Sequence, residues 1–281
     1  MNASLPDTSK NPGSFQKRKL PTIKGFILSN VNFLVALKLK TSLYYTIGHT
    51  VNYFNKYLPF LSKKFYCPCC ESILPYFIHL SNYKGISWHS ACPSCDSRSR
   101  HRGLTQLIPH LKKLLPIQPK IIHFAPETVL FNSISSLNSN SYQTSDFFLK
   151  DVDFSGENLE SLSFKNASFD LAICNHILEH LKKDGQAISE LSRILTNSGI
   201  LILTVPGDFT QKKTIEHKNT DSNGHYRHYG KAIIKKLEEH FYKIDSIDLH
   251  YFNNLNKQII AIKKNDFVFI CYKSKQKYNL L

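Results

Sequence analysis

From Lys120 onward, short apolar runs alternate with amphipathic ones. Phe169 to Cys174 (FDLAIC) reads as a buried strand. Ala187, Leu191 and Leu195 then recur at helical spacing, with Ile188 and Ile194 beside them. Gly199 is the predicted helix stop, and ILILTV is the next strand. KIIHFA (120–125) and SYQTSD (141–146) read as earlier strands around a helix over 127–137. A looser stretch with Asp151 and Asp153 follows the second of them. Later come a polar loop over 208–223, a helix near 231–240, and closing strands near 244–249 and 267–272. Such a series predicts an α/β fold, a doubly wound and mostly parallel sheet covered on both faces. Sheets of this kind take ligands outside the carboxyl ends of their strands.

Upstream the pattern changes three times. Residues 1–25 are rich in Ser, Pro, Asn and Lys and read as a disordered basic tail. Residues 26–65 are apolar and aromatic with scattered lysines, an amphipathic helical segment. It either packs on the next domain or docks on a membrane surface through Lys38, Lys40, Lys56, Lys63 and Lys64. Residues 66–102 form a cysteine module, and 103–281 the α/β domain. That domain opens with a helix over Leu104 to Leu115, ended by Pro116 and Pro119.

An apolar share of 42% in 281 residues supports a sizeable core and argues against global disorder. The net charge of +15, from 36 basic and 21 acidic residues, suits an anionic partner. Nucleic acid, a phospholipid surface and an anionic glycan or metabolite all qualify, and a Lys- and Asn-rich composition alone explains the charge equally well. The early prolines and Asp7 break any signal-peptide pattern, and no apolar run reaches the ~18–20 residues of a membrane span. With clustered rather than dispersed cysteines, this points to a reducing, cytoplasmic setting.

Cys67-Pro-Cys-Cys70 and Cys92-Pro-Ser-Cys95 are two C-x-x-C pairs. Each pair can form a turn whose sulfurs converge on one ion, and two such turns complete a tetrahedral thiolate shell for Zn²⁺. A four-thiolate shell has no open position, so the predicted role is structural. Cys69 is an alternative ligand that fits the spacing less well. Cys174 and Cys271 sit inside apolar strands as small core residues. Behind the second pair, Arg98, Arg100, His101 and Arg102 form either an anion-contacting patch or a solvated face.

In a doubly wound sheet the turn after the first strand meets the cofactor, usually through glycines. Here it is His123-Phe-Ala-Pro-Glu127, with no glycine. Ala125 is small enough for close approach, and a helix start at Glu127 offers free N–H groups. Asp146 ends the second strand about twenty residues on, where a carboxylate accepts ribose hydroxyls. Glu157 and Asn158 end the next segment and can read an adenine edge.

The chain resembles zinc-ribbon-bearing class I methyltransferases that use S-adenosylmethionine. The residues that carry the resemblance are CPCC, ACPSCDSRSRHR, IIHFAPE, YQTSD, SFDLAICNHILEHL, ELSRIL, TVPG and HYRHYG, covering roughly 65–274. It implies a Rossmann-like seven-stranded sheet whose last strand, FVFICYKS, is antiparallel, preceded by a small zinc ribbon. It also implies that His123 to Glu127 line the methionine end, Asp146 holds the ribose, and Glu157 or Asn158 meets the adenine. Asn175 and His176 then flank the transferable methyl. Ile200 replaces a second glycine usual after Gly199, and Ser163 a usual proline; neither touches the expected chemistry.

Methyl transfer is an in-line displacement in which protein groups position the acceptor and, for a hydroxyl, remove its proton. His176, His180, His225 and His228 are the candidate bases, with unperturbed imidazole pKa near ~6.5. Arg227 is a candidate holder of an anionic acceptor. The HILEH string is not a peptidase motif, because it sits at a strand end rather than on a helix. The acceptor suggested is an oxygen of a glycan or small metabolite. One rival is an RNA methyltransferase, favoured by the charge but lacking the Asn/Asp-Pro-Pro-aromatic turn of many exocyclic-amine methylators. Another is a non-catalytic zinc-binding module with a degenerate cofactor fold.

Overall fold

The computed structural model describes residues 39–58, 64–82, 85–139, 141–252 and 260–275. The tail expected over 1–25 and the start of the segment expected over 26–65 lie outside them. The described chain forms two compact units. One runs to Ser99 and includes Ile260 and Ala261; the other holds the remainder from Arg100.

In the first unit, helix α1 (Leu39–Tyr57) precedes two antiparallel hairpins. These are β1 (Phe65–Cys67) with β2 (Ser72–Leu74), and β3 (Ile78–Asn82) with β4 (Gly85–Ala91). The second hairpin shifts register between Ile78 and Leu80, which takes His79 out of the ladder. Asn52 of α1 satisfies the stranded groups: its Oδ1 accepts the His79 N–H and its Nδ2 donates to the His79 carbonyl, both at 2.8 Å. A Cβ at Gly48 would lie 2.2 Å from the Ser81 hydroxyl, which donates to the Tyr44 carbonyl at 2.9 Å and would have to rotate away. The buried side of α1 therefore carries Thr41, Ser42 and Asn52, while Leu43, Ile47 and Phe54 are exposed. The helix is amphipathic in the opposite sense from a core helix. Among the described residues, no helix is long and apolar enough to cross a membrane.

The α/β unit begins with α2 (Ser99–Leu107), which continues as a 3-10 turn over Ile108–Lys113. Then come β5 (Lys120–Phe124), α3 (Phe131–Ser135), β6 (Ser141–Asp146), β7 (Phe154–Ser155) and β8 (Phe169–Asn175). After these follow α4 (Asp184–Ile194), β9 (Leu195–Thr204), β10 (Ile215–Glu216), β11 (Arg227–His228), α5 (Ala232–Glu238), β12 (Lys243–Asp248) and β13 (Phe267–Tyr272). The seven-stranded sheet has the order β12-β13-β9-β8-β5-β6-β7. Its strands are parallel except β13, which runs antiparallel to β9 and β12. This is the expected Rossmann-like sheet with an antiparallel final strand.

Both faces of the sheet are covered. Ile122, Phe124, Ala172, Cys174, Leu201, Leu203, Phe269 and Cys271 face one hydrophobic cluster with Ala187, Ile188, Leu191 and Ile194 of α4 and Ile233 and Leu237 of α5. The alternate positions Ile121, His123, Leu171, Ile173, Ile200, Ile202, Val268 and Ile270 are fully buried as well.

Three local expectations change. Gly199 does not stop the helix: α4 ends at Ile194 and β9 starts one residue later. Phe169 pairs with Leu195 but Leu171 pairs with Ile200, so the four residues Thr196 to Gly199 oppose Asp170 alone and loop out as a bulge. Gly199 is needed there because a Cβ would lie 2.9 Å from Leu195 Cβ. The loose stretch around Asp153 contains the edge strand β7. The helix expected over 127–137 is a 3-10 turn, Thr128–Leu130, followed by the short α3.

Candidate functional site

Strand order reverses between β5 and β8, and a crevice opens at their carboxyl ends. It is a cavity of about 600 Å³. Ala125 and His176, the residues that follow β5 and β8, both line it. Both have left-handed backbone, with φ of 46° and 52°. A non-glycine residue there costs ~1–2 kcal/mol. Their N–H groups extend the parallel ladder by one step: Ala125 donates to the Ser145 carbonyl and His176 to the Thr204 carbonyl, each at 2.8 Å. The glycine-less turn thus adopts a glycine-like path.

Asp146 lines the crevice and takes the N–H groups of Phe148 and Leu149 at 2.7 Å, both on Oδ1. Its Oδ2 makes no hydrogen bond in the structure. Phe147 and Phe148 follow it, both exposed at the rim. Ser145 also lines the cavity, and its hydroxyl is buried without a partner. Glu157 and Asn158 line the wall too, but are partly committed. Glu157 accepts the backbone N–H and hydroxyl of Ser163, and Asn158 Oδ1 accepts the Glu160 N–H. A nucleoside fits these residues: a carboxylate oxygen and an orphaned hydroxyl at the strand end, with aromatic faces beside them.

Three expected cofactor contacts fall elsewhere. His123 is fully buried within β5, and its Nδ1 meets the Tyr142 hydroxyl at 3.0 Å. Strand alternation turns it into the layer beside Ile121, away from the crevice. Burial pushes its imidazole down to about 4. Glu127 is a structural hub: Oε1 accepts from Arg100 at 3.0 Å and from His101 at 2.6 Å, and Oε2 accepts from Asn175 Nδ2 at 2.8 Å. Burial alone would raise its carboxyl. The hydrogen bond from His101, with the charges of His101 and Arg100, more than offsets this and holds it well below the usual carboxylate range. Asn175 is buried and accepts the Thr204 hydroxyl at 2.9 Å, so it ties strand ends together. The basic cluster after the cysteines is also internal in part, since Arg102 is fully buried and Arg100 is paired with Glu127.

Of the four candidate histidines, His176 and His180 line the cavity and the other two adjoin them, whereas Arg227 is engaged elsewhere. His176 lines the cavity with Nδ1 3.3 Å from Oε1 of the buried Glu179. His180 lines it as well, and its ring packs edge-on against His225 at 4.8 Å. His225 packs in turn against His228 at 5.5 Å. Arg227 is buried, and its guanidinium is spent on protein groups. It donates to the carbonyls of Leu178, Leu181 and Lys182 and to Glu216. Four of its five N–H groups are engaged within the protein, and the side chain pins the turn that carries His180. Tyr226, not singled out in the sequence, lines the cavity at this end.

In the first unit the Sγ atoms of Cys67, Cys70, Cys92 and Cys95 all lie within 4.8 Å of one another. Cys67–Cys95 and Cys70–Cys92 are 3.7 and 3.8 Å apart. A tetrahedral ion with Zn–S bonds of ~2.3 Å requires edges of ~3.8 Å, so the four sulfurs fit Zn²⁺. Supporting contacts come from the Ser94 N–H to Cys92 Sγ and from the Ser97 hydroxyl to Cys67 Sγ.

Residues 131–203, from α3 into β9, match a family model described as a methyltransferase domain. The α/β unit is a methyltransferase domain. Its sheet order is the one that the resemblance to class I S-adenosylmethionine-dependent methyltransferases implies. No curated protein matches the sequence. Solved structures similar to the methyltransferase domain are remote in sequence. One is a Burkholderia thailandensis 1,6-didemethyltoxoflavin N1-methyltransferase with bound S-adenosylhomocysteine. It is 12% identical over 63% of this chain and 79% of its own, with a TM-score of 0.45. An S-adenosylmethionine-dependent methyltransferase from Mesorhizobium loti is 13% identical over 58% and 94%, with a TM-score of 0.41.

Proposed function

We propose that the methyltransferase domain binds S-adenosylmethionine in the crevice between β5 and β8 and methylates an oxygen of a glycan or small metabolite. When bound, the cofactor supplies a methyl carbon on a positively charged sulfur. Asp146 Oδ2 holds the ribose, the Ser145 hydroxyl donates to the nucleoside end, and Phe147 and Phe148 cover the adenine. Ala125 and His176 bring main chain against the methionine end. The acceptor enters beside His180 and Tyr226.

One observation carries the oxygen reading: His176 borders the cavity and is backed by a buried carboxylate, Glu179, at 3.3 Å. His176 takes the proton from the acceptor hydroxyl, and Glu179 stabilises the imidazolium that forms, as a carboxylate does behind a histidine base. The four cysteines hold a structural Zn²⁺ that stabilises the hairpins of the first unit.

Labelled S-adenosylmethionine fed to a cell lysate with the purified protein tests the acceptor class. Label in a sugar or metabolite fraction is expected, with loss in His176→Ala while S-adenosylhomocysteine still binds. Label in RNA makes the RNA methyltransferase reading the correct one. Absence of heat on titration with S-adenosylhomocysteine leaves the non-catalytic module. Metal analysis should find one zinc fewer per chain in a Cys67→Ser, Cys95→Ser variant than in the wild type.

A further inference from the structure

Beyond the crevice wall, Glu179, His180 and His225 converge so that one ligand atom from each lies within 4.8 Å of the others. The sequence separates them: two belong to the HILEH string and the third comes from the segment leading into β11. The Glu179 side chain is 1% exposed, and its Oε2 has no hydrogen-bond partner. A buried carboxylate oxygen without donors is costly unless a cation completes it.

The two imidazoles are arranged to serve such a cation. His180 Nδ1 lies 3.1 Å from the Gly224 carbonyl. A carbonyl only accepts, so Nδ1 carries the proton and Nε2 is left with a bare lone pair. That Nε2 is 3.9 Å from Glu179 Oε1. This is how a backbone carbonyl fixes the tautomer of a metal-binding histidine. His225 Nδ1 is buried and makes no hydrogen bond, its nearest carboxylate oxygen being Asp221 Oδ2 at 3.7 Å. The nearby trio His217, Asp221 and His228 differs, because Asp221 is already satisfied by the N–H groups of Asn223 and His225 and by His228 Nε2.

We propose that Glu179, His180 and His225 bind one divalent cation of the Zn²⁺ class, distinct from the four-cysteine site. Two imidazoles and one carboxylate suit a borderline ion and leave coordination positions open. His180 also lines the cavity, so the open side adjoins the acceptor end. An acceptor oxygen bound there would have its hydroxyl acidified, as metal-bound water is. That consequence rests on the oxygen-acceptor reading above; the binding itself does not.

Full-length protein with its cysteine site filled by Zn²⁺ is titrated with Co²⁺ in the absence of S-adenosylmethionine. About one equivalent is expected to bind, with visible ligand-field absorption and without the near-ultraviolet band of a thiolate site. Glu179→Gln and His225→Asn should each weaken binding at least ten-fold, while His217→Ala binds as the wild type does. Circular dichroism identifies any variant that fails to fold, and the second variant then decides. No Co²⁺ beyond the cysteine site, unchanged binding in both folded variants, or loss in His217→Ala alone would overturn the assignment. Because no methyl transfer is measured, failure here is separate from failure of the acceptor reading.

Discussion

Asn175 Nδ2 donates to Glu127 Oε2 at 2.8 Å, joining the end of β8 to the segment that follows β5. The two residues were expected to face the cofactor. They instead tie together the strand ends that border the crevice, and Arg100 and His101 anchor the far side of the same carboxylate.

Removing that charge should loosen the crevice from behind. Glu127→Gln keeps the shape and can still pair with Asn175, but leaves Arg100 without its counter-charge. A loss of about 3 kcal/mol is expected from the cost of stranding one partner of a largely buried pair. Urea unfolding followed by circular dichroism measures it. The depressed Glu127 carboxyl contributes stability above its unfolded pKa of ~4.3, lost as pH falls toward its folded value. The variant should therefore also lose acid sensitivity below about pH 4.

Asp146 combines a turn role and a ligand role on different oxygens. Asp146→Asn retains an Oδ1 for the Phe148 and Leu149 N–H groups, so the fold should persist. Calorimetry with S-adenosylhomocysteine should show at least ten-fold weaker binding, a loss of ~1.4 kcal/mol or more. Asp146→Ala should abolish binding and leave zinc content unchanged. Wild-type affinity in both variants would remove the ribose assignment.

His123 predicts a pH effect of opposite origin. Its folded pKa is pushed down to about 4 from 6.5, so the unfolded chain binds the extra proton between these values. Stability should be flat above about pH 7 and fall as pH drops from ~6.5 to ~4, by about 3 kcal/mol for this residue. His79 is also pushed down to about 4, first by burial and then by His89, and adds a second decline in the first unit. His123→Gln should remove only the share belonging to the α/β unit, read from denaturation curves at several pH values.

Arg227→Lys should separate pinning from ligand binding. A lysine cannot reach the carbonyls of Leu178, Leu181 and Lys182 together. The expected result is a melting temperature lower by several degrees, since ~1 kcal/mol is worth about 2–4 °C in a domain of this size. Affinity for anionic acceptors should show no charge-specific change compared with Arg227→Met. A selective loss of anionic acceptors in Arg227→Met would restore the acceptor-binding role.

Much of the fold was legible because its signals are local. SYQTSD and FVFICY became strands with the bounds that alternation and flanking turns gave them. The two C-x-x-C pairs carry their geometry in their spacing. Contacts made across the sheet left no such mark. Nothing within FAPE says that Glu127 meets Arg100, His101 and Asn175, and nothing near Arg227 says that its partners are carbonyls some forty-five residues earlier. The bulge at Thr196 to Gly199 was hidden because Leu195 continues the helical apolar spacing into the next strand.

The left-handed turns at Ala125 and His176 carry side chains where glycine would be the relaxed choice. Their path is imposed by neighbouring strands, through the Ser145 and Thr204 carbonyls. A pattern search keyed to glycine identity would pass over this crevice, although its backbone traces the shape such a search is meant to find. For this chain, ancestry of the site is better tracked by main-chain handedness than by letters.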